Sequence, residues 1–334
     1  MIKKKTLIIA EIGVNHNGSI KLAKEMILRA TKAGADVVKF QLYKTNELVV
    51  KNTSLAKYQK KNTSFISQYE MLQKYELKYQ LAKKLIKFCK EKKIKIAFSV
   101  FNESYIKIFK NSNIDFIKIP SGEINNFFLL KEILKLKNKK IIISTGMSTN
   151  LEISKTLNFL RKNKTFEISL LHCISSYPTK ITDINLKSIS LLKEKFKKEI
   201  GLSDHTISTK IPSYAVIAGA SIIEKHFTLD KNMSGPDHKS SLNPKQFKQM
   251  VNHIRKAEII YGNYCKERLQ QENENKKFVR KVIVAKKKIK KSDKFTFSNL
   301  TAMRANYGIP VGSLDIVLGK KSKKVFKVGD IIEI

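Results

Sequence analysis

Three cysteines in 334 residues, at 89, 173 and 265, are odd in number and form neither a CxxC pair nor a metal-knuckle spacing. That excludes a disulfide framework as the source of stability. Cys173 follows His172, an arrangement that raises the question of a nucleophile, but both lie in an apolar run and the thiol reads as a small buried hydrophobe. Apolar runs long enough to cross a bilayer are also missing. The start, Met1-Ile-Lys-Lys-Lys-Thr6, has the charges of a signal peptide, yet Leu7-Ile-Ile-Ala10 is cut off by Glu11 before it reaches the length of an apolar signal core. Cytoplasmic residence without a membrane partner is the expectation. Arginine is scarce as well, six of 66 basic residues. The formal charge of +38 invites a nucleic-acid reading. With so few forked donors for base readout, and with lysines scattered over helix faces and turns, most of that charge reads as solvated surface and no nucleic acid is expected. The field that remains favours a small anionic substrate.

What is present is a core-forming chain, 42% hydrophobic, in which short β-branched runs alternate with stretches of helical period. Strands are expected at Thr6–Gly13, Asp36–Leu42, Ile94–Val100, Phe116–Ser121, Lys140–Gly146, Ile168–Ser175, Glu199–Asp204 and Ser221–Leu229. Helices are expected at Ser19–Ala33, Lys78–Lys92, Glu103–Lys110, Asn126–Leu136, Leu151–Lys162, Leu186–Lys197, Ile211–Gly219 and Pro244–Tyr261, with a long polar segment between Tyr43 and Glu76. This count closes a (β/α)8 barrel, and a doubly wound open sheet is the rival with the same alternation. Residues 1–262 form this α/β domain, 263–277 a polar linker, and 278–334 a small β-rich domain with runs at Lys281–Ala285, Phe295–Met303 and Val325–Ile334.

In a parallel barrel the loops at the C-terminal strand ends build the active site, and polar residues end almost every apolar run here. Glu11 and His16 follow the first, Lys39 and Gln41 end the second, and Lys118, Ser121, Gly122 and Glu123 follow the fourth. Ser144 to Met147 end the fifth, Tyr177 follows the sixth, Ser203 and His205 end the seventh and His226 the eighth. Burying so much charge at one mouth is costly unless a charged ligand uses it. Lys39, Lys118, Ser144, Ser203 and the amides around Ser121 suit a phosphate or carboxylate. His205 and His226, on adjacent strands with carboxylates at hand, suit a divalent ion with open positions, while hydrogen-bonding core histidines are the plainer alternative. His16 reads as shaping a polar turn or hydrogen-bonding a ligand, not as binding metal.

Taken together, Glu11-Ile-Gly-Val-Asn-His-Asn-Gly18, Val38-Lys-Phe-Gln41, Ile119-Pro-Ser-Gly-Glu123, Ser144-Thr-Gly-Met147, Gly201-Leu-Ser-Asp-His-Thr206, Glu224-Lys-His-Phe-Thr228 and Gly235-Pro-Asp-His-Lys239 resemble the sialic acid (nonulosonate) synthase family. The C-terminal part is similar to that family's SAF domain, itself like type III antifreeze proteins. The resemblance implies a TIM barrel that condenses phosphoenolpyruvate with an N-acetylated mannose-type sugar, giving a nine-carbon 2-keto acid and phosphate. The product it implies is N-acetylneuraminate, with N,N'-diacetyllegionaminate or another nonulosonate as the alternative. It implies a divalent ion, Mn2+ with Co2+ or Mg2+ as alternatives, on His205 and His226, with Glu11 and Lys118 also serving the chemistry. It places Lys39, Lys118, Ser121, Ser144 and Ser203 on phosphoenolpyruvate, and Gln41, Phe101, Glu123, Tyr177 and Asp237 around the sugar. Arg304 would reach the partner subunit's sugar site in a homodimer with swapped SAF domains.

The chain departs from the family pattern at three places. Phe98-Ser-Val-Phe101 stands where the family has Ser-Thr-Pro-Phe, Ser176 where an acid is usual, and Arg304-Ala-Asn306 where Arg-Pro-Gly is usual. Two other readings remain: an aldolase with Lys118 or Lys39 as Schiff base, and a non-catalytic barrel that binds an anionic polymer.

Overall fold

The computed structural model describes residues 5–110, 114–262 and 265–334. The lysine-rich start at 1–4 and the first two residues of the expected linker, 263 and 264, lie outside the described residues. The chain divides into two compact units, Met1–Gly262 and Asn263–Ile334.

The first unit is a closed barrel of eight parallel strands in sequence order. They are β1 (Leu7–Gly13), β2 (Val37–Leu42), β3 (Lys95–Val100), β4 (Ile117–Ile119), β5 (Lys140–Ser144), β6 (Glu167–Cys173), β7 (Glu199–Asp204) and β8 (Ile222–His226). Closure decides against the open sheet, because β1 pairs with β2 on one side and with β8 on the other.

Along each strand alternate side chains face opposite ways. Ile8, Ala10, Val38, Phe40, Phe98, Ile141, Ile143, Leu202 and Ile223 face outward into the core shared with the helices. Those helices include Ile20–Lys32, Tyr79–Glu91, Asn150–Leu160 and Pro244–Tyr261. Each buried aliphatic side chain of this kind contributes about 1.5–3 kcal/mol relative to exposure. The inward set begins with a separate apolar plug of Ile9, Val37, Ala97, Phe116, Ile142, Leu171 and Ile222. Everything two residues further along the strands is raised onto this plug.

Two expected elements differ in form. The stretch Glu103–Phe109 is a 3-10 helix, not an α-helix. Its buried residues, Tyr105, Ile106, Ile108 and Phe109, lie at i and i+3, the spacing that a three-residue turn stacks into two ridges. The fourth strand stops at Ile119, two residues early, because Pro120 brings no N–H to a ladder and Ser121–Glu123 turns at once into a 3-10 helix. The polar segment after β2 is ordered: Thr45–Leu48, Lys57–Asn62 and Gln68–Tyr75 are short helices over a small core of Val14, Tyr43, Leu55, Met71 and Tyr75.

The second unit carries a helix, Gln270–Val279, that begins in what the sequence reads as linker and runs two residues past its expected end at 277, with no buried residue. Its sheet is an antiparallel pair of β9 (Lys281–Ala285) and β10 (Leu300–Arg304). The run from Phe295 does not begin as a strand, since the Asn299 side chain accepts from the Thr296 N–H and closes a turn there. The last run forms isolated bridges, Ile289 with Phe326 and Val284 with Ile331, around a core of Ile283, Ile289, Phe295, Phe326 and Ile332. Among the described residues no helix is long and apolar enough to cross a membrane.

Candidate active site

Two residues beyond the apolar plug, the inward positions turn polar on every strand. Glu11, Lys39, Ser99, Lys118, Ser144, Cys173, Ser203 and Glu224 make this layer, and all line one cavity of about 440 Å³ at the C-terminal strand ends. Gln41, His205 and His226 stand one alternation higher in the same cavity, with Phe101, Ser121, Glu123 and Tyr177 from the loops. A hollow of similar size at the other end of the barrel, lined by Thr6, Gly219, Ser221 and Ile259, gathers no comparable set.

The floor is an alternating lattice of charge. Lys39 Nζ lies 2.6 Å from Glu11 Oε2 and 3.6 Å from Glu224 Oε2, and donates to Ser99 Oγ at 2.6 Å. Lys118 Nζ donates to Ser144 Oγ at 2.7 Å and lies 3.8 Å from Glu224 Oε1, to which Ser203 Oγ donates at 2.9 Å. Gln41 Nε2 donates to Glu11 Oε1 at 3.3 Å. Two amino and two carboxyl groups thus pair with one another away from water, the condition under which buried charge is tolerable.

The two carboxyls are not equivalent. Burial works against the charge of Glu224, but Lys118 and Lys39, with the Ser203 hydroxyl, bring it down to about 2. Burial pushes the Glu11 carboxyl up, and Glu224 adds to this while Lys39 opposes it. Carboxyls driven apart in this way separate a fixed charge from a proton carrier. Burial also lowers the Lys118 ammonium.

The histidines form the rim. Burial takes the His205 imidazole down to about 4, so it is neutral near pH 7. Its Nδ1 lies 2.7 Å from the Ile174 carbonyl oxygen. A carbonyl only accepts, so Nδ1 carries the hydrogen and Nε2 keeps its lone pair. His226 is likewise lowered by burial, and its Nδ1 is buried without a hydrogen-bond partner, 3.9 Å from Asp237 Oδ2. The ring centroids are 5.6 Å apart, and Tyr177 stacks on His205 at 4.2 Å while meeting His226 edge-on at 5.8 Å. Among the described residues no three His, Cys, Asp or Glu side chains form a ready metal cage. Two neutral imidazoles, one with a freed lone pair and one with an orphaned nitrogen, nevertheless fit a divalent ion that takes its other ligands from water or substrate.

Of the residues given a catalytic, metal or substrate role from the sequence, all but Asp237 and Arg304 line the cavity. Asp237 is buried behind His226, its carboxyl pushed up to about 7 by burial and by Glu11. Arg304 ends β10 in the second unit and is exposed. His16 shapes a turn as expected, its Nδ1 accepting from the Gly18 N–H at 3.0 Å.

Sequence reasoning passed over Glu224, Ser99 and Cys173 as site residues. The signal for Glu224 was there: it stands two residues before His226, on the same strand face. Ser99, one of the departures from the family pattern, supplies the hydroxyl that Lys39 meets. Cys173 is a buried thiol, pushed up by burial, whose sulfur lies 3.2 Å from Ser121 Oγ. Gly146 lets the strand ends close here, for a Cβ at that position would stand 2.7 Å from Cys173 Sγ and 2.9 Å from Ser121 Oγ. The wall contributed by residues 43–76, with Leu48, Val49, Tyr58, Gln59, Gln68 and Leu72, was also missed.

Comparison with known proteins gives a consistent set. A profile of the NeuB family matches residues 26–266. An N,N'-diacetyllegionaminic acid synthase of Campylobacter jejuni is 45% identical over 332 residues, covering 98% of this chain and 99% of that protein. A pseudaminic acid synthase of the same species is 35% identical over 332 residues, covering 99% and 96%. The crystal structure of an N-acetylneuraminic acid synthetase from Leptospira borgpetersenii superposes with a TM-score of 0.72 at 32% identity, covering 81% of this chain and 90% of that one.

Proposed function

The chain belongs to the NeuB family, and on that premise we propose that it joins phosphoenolpyruvate to the aldehyde of an acetamido sugar, forming a nine-carbon 2-keto acid and phosphate. The observation that carries this reading is the polar layer, where Lys39 and Lys118 lie among Ser99, Ser144 and Ser203 at the base of one cavity. Such a cluster of ammonium and hydroxyl donors holds the phosphate and carboxylate of a small trianion. Ser121 lies at the same cavity and adds its hydroxyl.

The new carbon–carbon bond forms from C3 of the enol to the aldehyde carbon, leaving C2 electron-poor and the aldehyde oxygen in need of a proton. Glu11, whose carboxyl burial raises, gives that proton and then stands as a carboxylate beside the positive C2. Water adds at C2 and returns a proton to Glu11. The C2–O bond to the phosphorus-bearing oxygen breaks, the C2 hydroxyl gives its proton to the departing phosphate, and its oxygen becomes the keto group. Glu224 remains ionised throughout and holds the two lysines in place. A divalent ion held by His205 and His226, Mn2+ in first place and Co2+ or Mg2+ as alternatives, would supply Lewis acidity toward the aldehyde oxygen.

Gln41, Phe101, Glu123, Tyr177 and Asp237 surround the sugar in this reading. The sequence alone put N-acetylneuraminate first. The 45% relative named for N,N'-diacetyllegionaminic acid moves a 2,4-diacetamido-6-deoxy sugar ahead of N-acetylmannosamine. The second unit is read as an antifreeze-like SAF domain that brings Arg304 to the partner's sugar site in a swapped homodimer, on the strength of the family resemblance.

The test is phosphate release from phosphoenolpyruvate with Mn2+ and a panel of acetamido sugars, with the products identified by mass. Release with a 2,4-diacetamido sugar and a product mass equal to the sum of both substrates and water less phosphate is expected. No release with any sugar overturns the reading. A borohydride-trapped lysine adduct would favour the Schiff-base aldolase. Arg304→Ala should raise the KM for the sugar at least about tenfold with folding intact, and unaltered kinetics would remove Arg304 from the site.

A further inference from the structure

The cavity is polar at its base and largely apolar at one side, and the two parts come from different stretches of chain. Leu48, Val49 and Leu72, all from the segment after β2, are half-buried and line the cavity beside Phe101. Leu48, Leu72 and Phe101 rest on the small core of Tyr43, Met71 and Tyr75, so the wall is backed by packed side chains. It is also tied down by polar contacts. Tyr43 Oη donates to the Leu72 carbonyl at 3.0 Å, and the Glu76 carboxylate accepts from both the N–H and hydroxyl of Thr45 at 2.9 and 2.7 Å. Asn62 Nδ2 donates to the Pro236 carbonyl at 3.0 Å, beside Asp237. A surface held this firmly is shaped before the substrate arrives.

No hydroxyl or charge is carried by Leu48, Val49, Leu72 or Phe101. The polar side chains that the same segment brings to the cavity are Tyr58, Gln59 and Gln68. Gln59 is used within the segment, its Oε1 accepting from the Ala56 N–H at 2.9 Å and its Nε2 donating to Tyr58 Oη at 3.4 Å, while Gln68 adds a second carboxamide. Carboxamides are neutral and both donate and accept, which matches an acetamido group. A hydroxylated sugar carbon set against the side chains of Leu48, Val49 and Leu72 themselves would lose its water without a partner, a cost that a methyl group does not meet.

We infer that Leu48, Val49 and Leu72 form an apolar seat that selects a sugar whose terminal carbon is deoxygenated over one that carries a hydroxylated tail, the Gln68 amide reading an acetamido group. The inference rests on the function proposed above and names the residues that set its sugar preference. It acts on the sugar alone, because the groups proposed to hold phosphoenolpyruvate lie on the barrel strands and the turn after β4.

The test compares 2,4-diacetamido-6-deoxymannose with N-acetylmannosamine in the intact protein with Mn2+ and phosphoenolpyruvate. The unmodified protein should favour the deoxy sugar in kcat/KM, and Val49→Thr together with Leu48→Asn should reduce that preference about tenfold, the range for a methyl-sized change in an apolar pocket. The KM for phosphoenolpyruvate should stay within about twofold. Val49→Thr alone keeps the side-chain volume and serves if the double variant fails to fold; it should lower the preference by about threefold. An unchanged preference in a folded variant, or preference of the unmodified protein for N-acetylmannosamine, overturns the inference. Should no sugar be turned over, the proposed function falls first, and calorimetric titration of both sugars then decides the wall by itself: equal affinities overturn it, and tighter binding of the deoxy sugar sustains it.

Discussion

On the cavity floor, neighbouring strands about 4.8 Å apart hold Glu11, Lys39, Lys118, Ser144 and Glu224 in one layer above the apolar plug. On the side wall, Leu48 and Leu72, with Val49 next to Leu48 in the chain, owe their positions to a local core and a few long-range hydrogen bonds. The floor is closed on all sides by the ladder and cannot change its spacing without opening the barrel. The wall is an insertion between β2 and its barrel helix, and its composition can change without touching a strand. Chemistry common to a family belongs on the first kind of support, and substrate preference on the second.

The hardest blow to the floor is the loss of a charge that balances it. Glu224→Gln leaves Lys39 and Lys118 short of a buried anion. It should cost about 3–5 kcal/mol in urea unfolding and lower turnover of phosphoenolpyruvate about a thousandfold. A loss below about 1 kcal/mol would mean that the floor is not held by its charge balance.

Next comes the turn joining the two regions, where Glu11 belongs to the floor, Val14 to the core of the wall, and His16 is buried at 3.0 Å from the Gly18 N–H. Burial lowers His16 from 6.5 to about 4. Its neutral form is the native one, so the unfolded chain takes up the proton first. The stability His16 contributes is complete above its unfolded value and is lost as pH falls from 6.5 toward 4, a change of about 3 kcal/mol. His16→Gln should flatten that part of the stability profile; an equal slope in both proteins would refute the assignment.

The smallest effect is expected from untying the wall. Glu76→Ala removes the acceptor shared by the Thr45 N–H and hydroxyl, at about 1–3 kcal/mol. It should raise the sugar's KM about tenfold while leaving that for phosphoenolpyruvate within about twofold. Equal changes in both constants would show that floor and wall are not separable.

The floor was readable in the sequence because strand periodicity carries it. A polar residue that ends an apolar strand run announces a position in the barrel mouth, which is how Glu11, Lys39, Lys118 and Ser203 stood out. The same rule applied to Glu224, whose own strand already offered His226 as the more conspicuous residue. For the segment between Tyr43 and Glu76 there was no comparable period: three short helices with few apolar residues read as a polar stretch, although a core of five buried side chains lies within reach of it.

The alternation of β-branched runs and helical stretches determined by itself that this chain would build a parallel sheet wrapped by helices, and which residues would crowd the C-terminal ends of its strands, because side-chain direction along a strand follows from local covalent geometry. Only the tertiary structure decided that the sheet closes from β8 back to β1 and that Glu11 and Glu224 share Lys39. It alone set Leu48, Val49 and Leu72 beside the polar floor. Those facts join residues up to about two hundred positions apart in the chain, and their distances are set by the packing of the whole barrel.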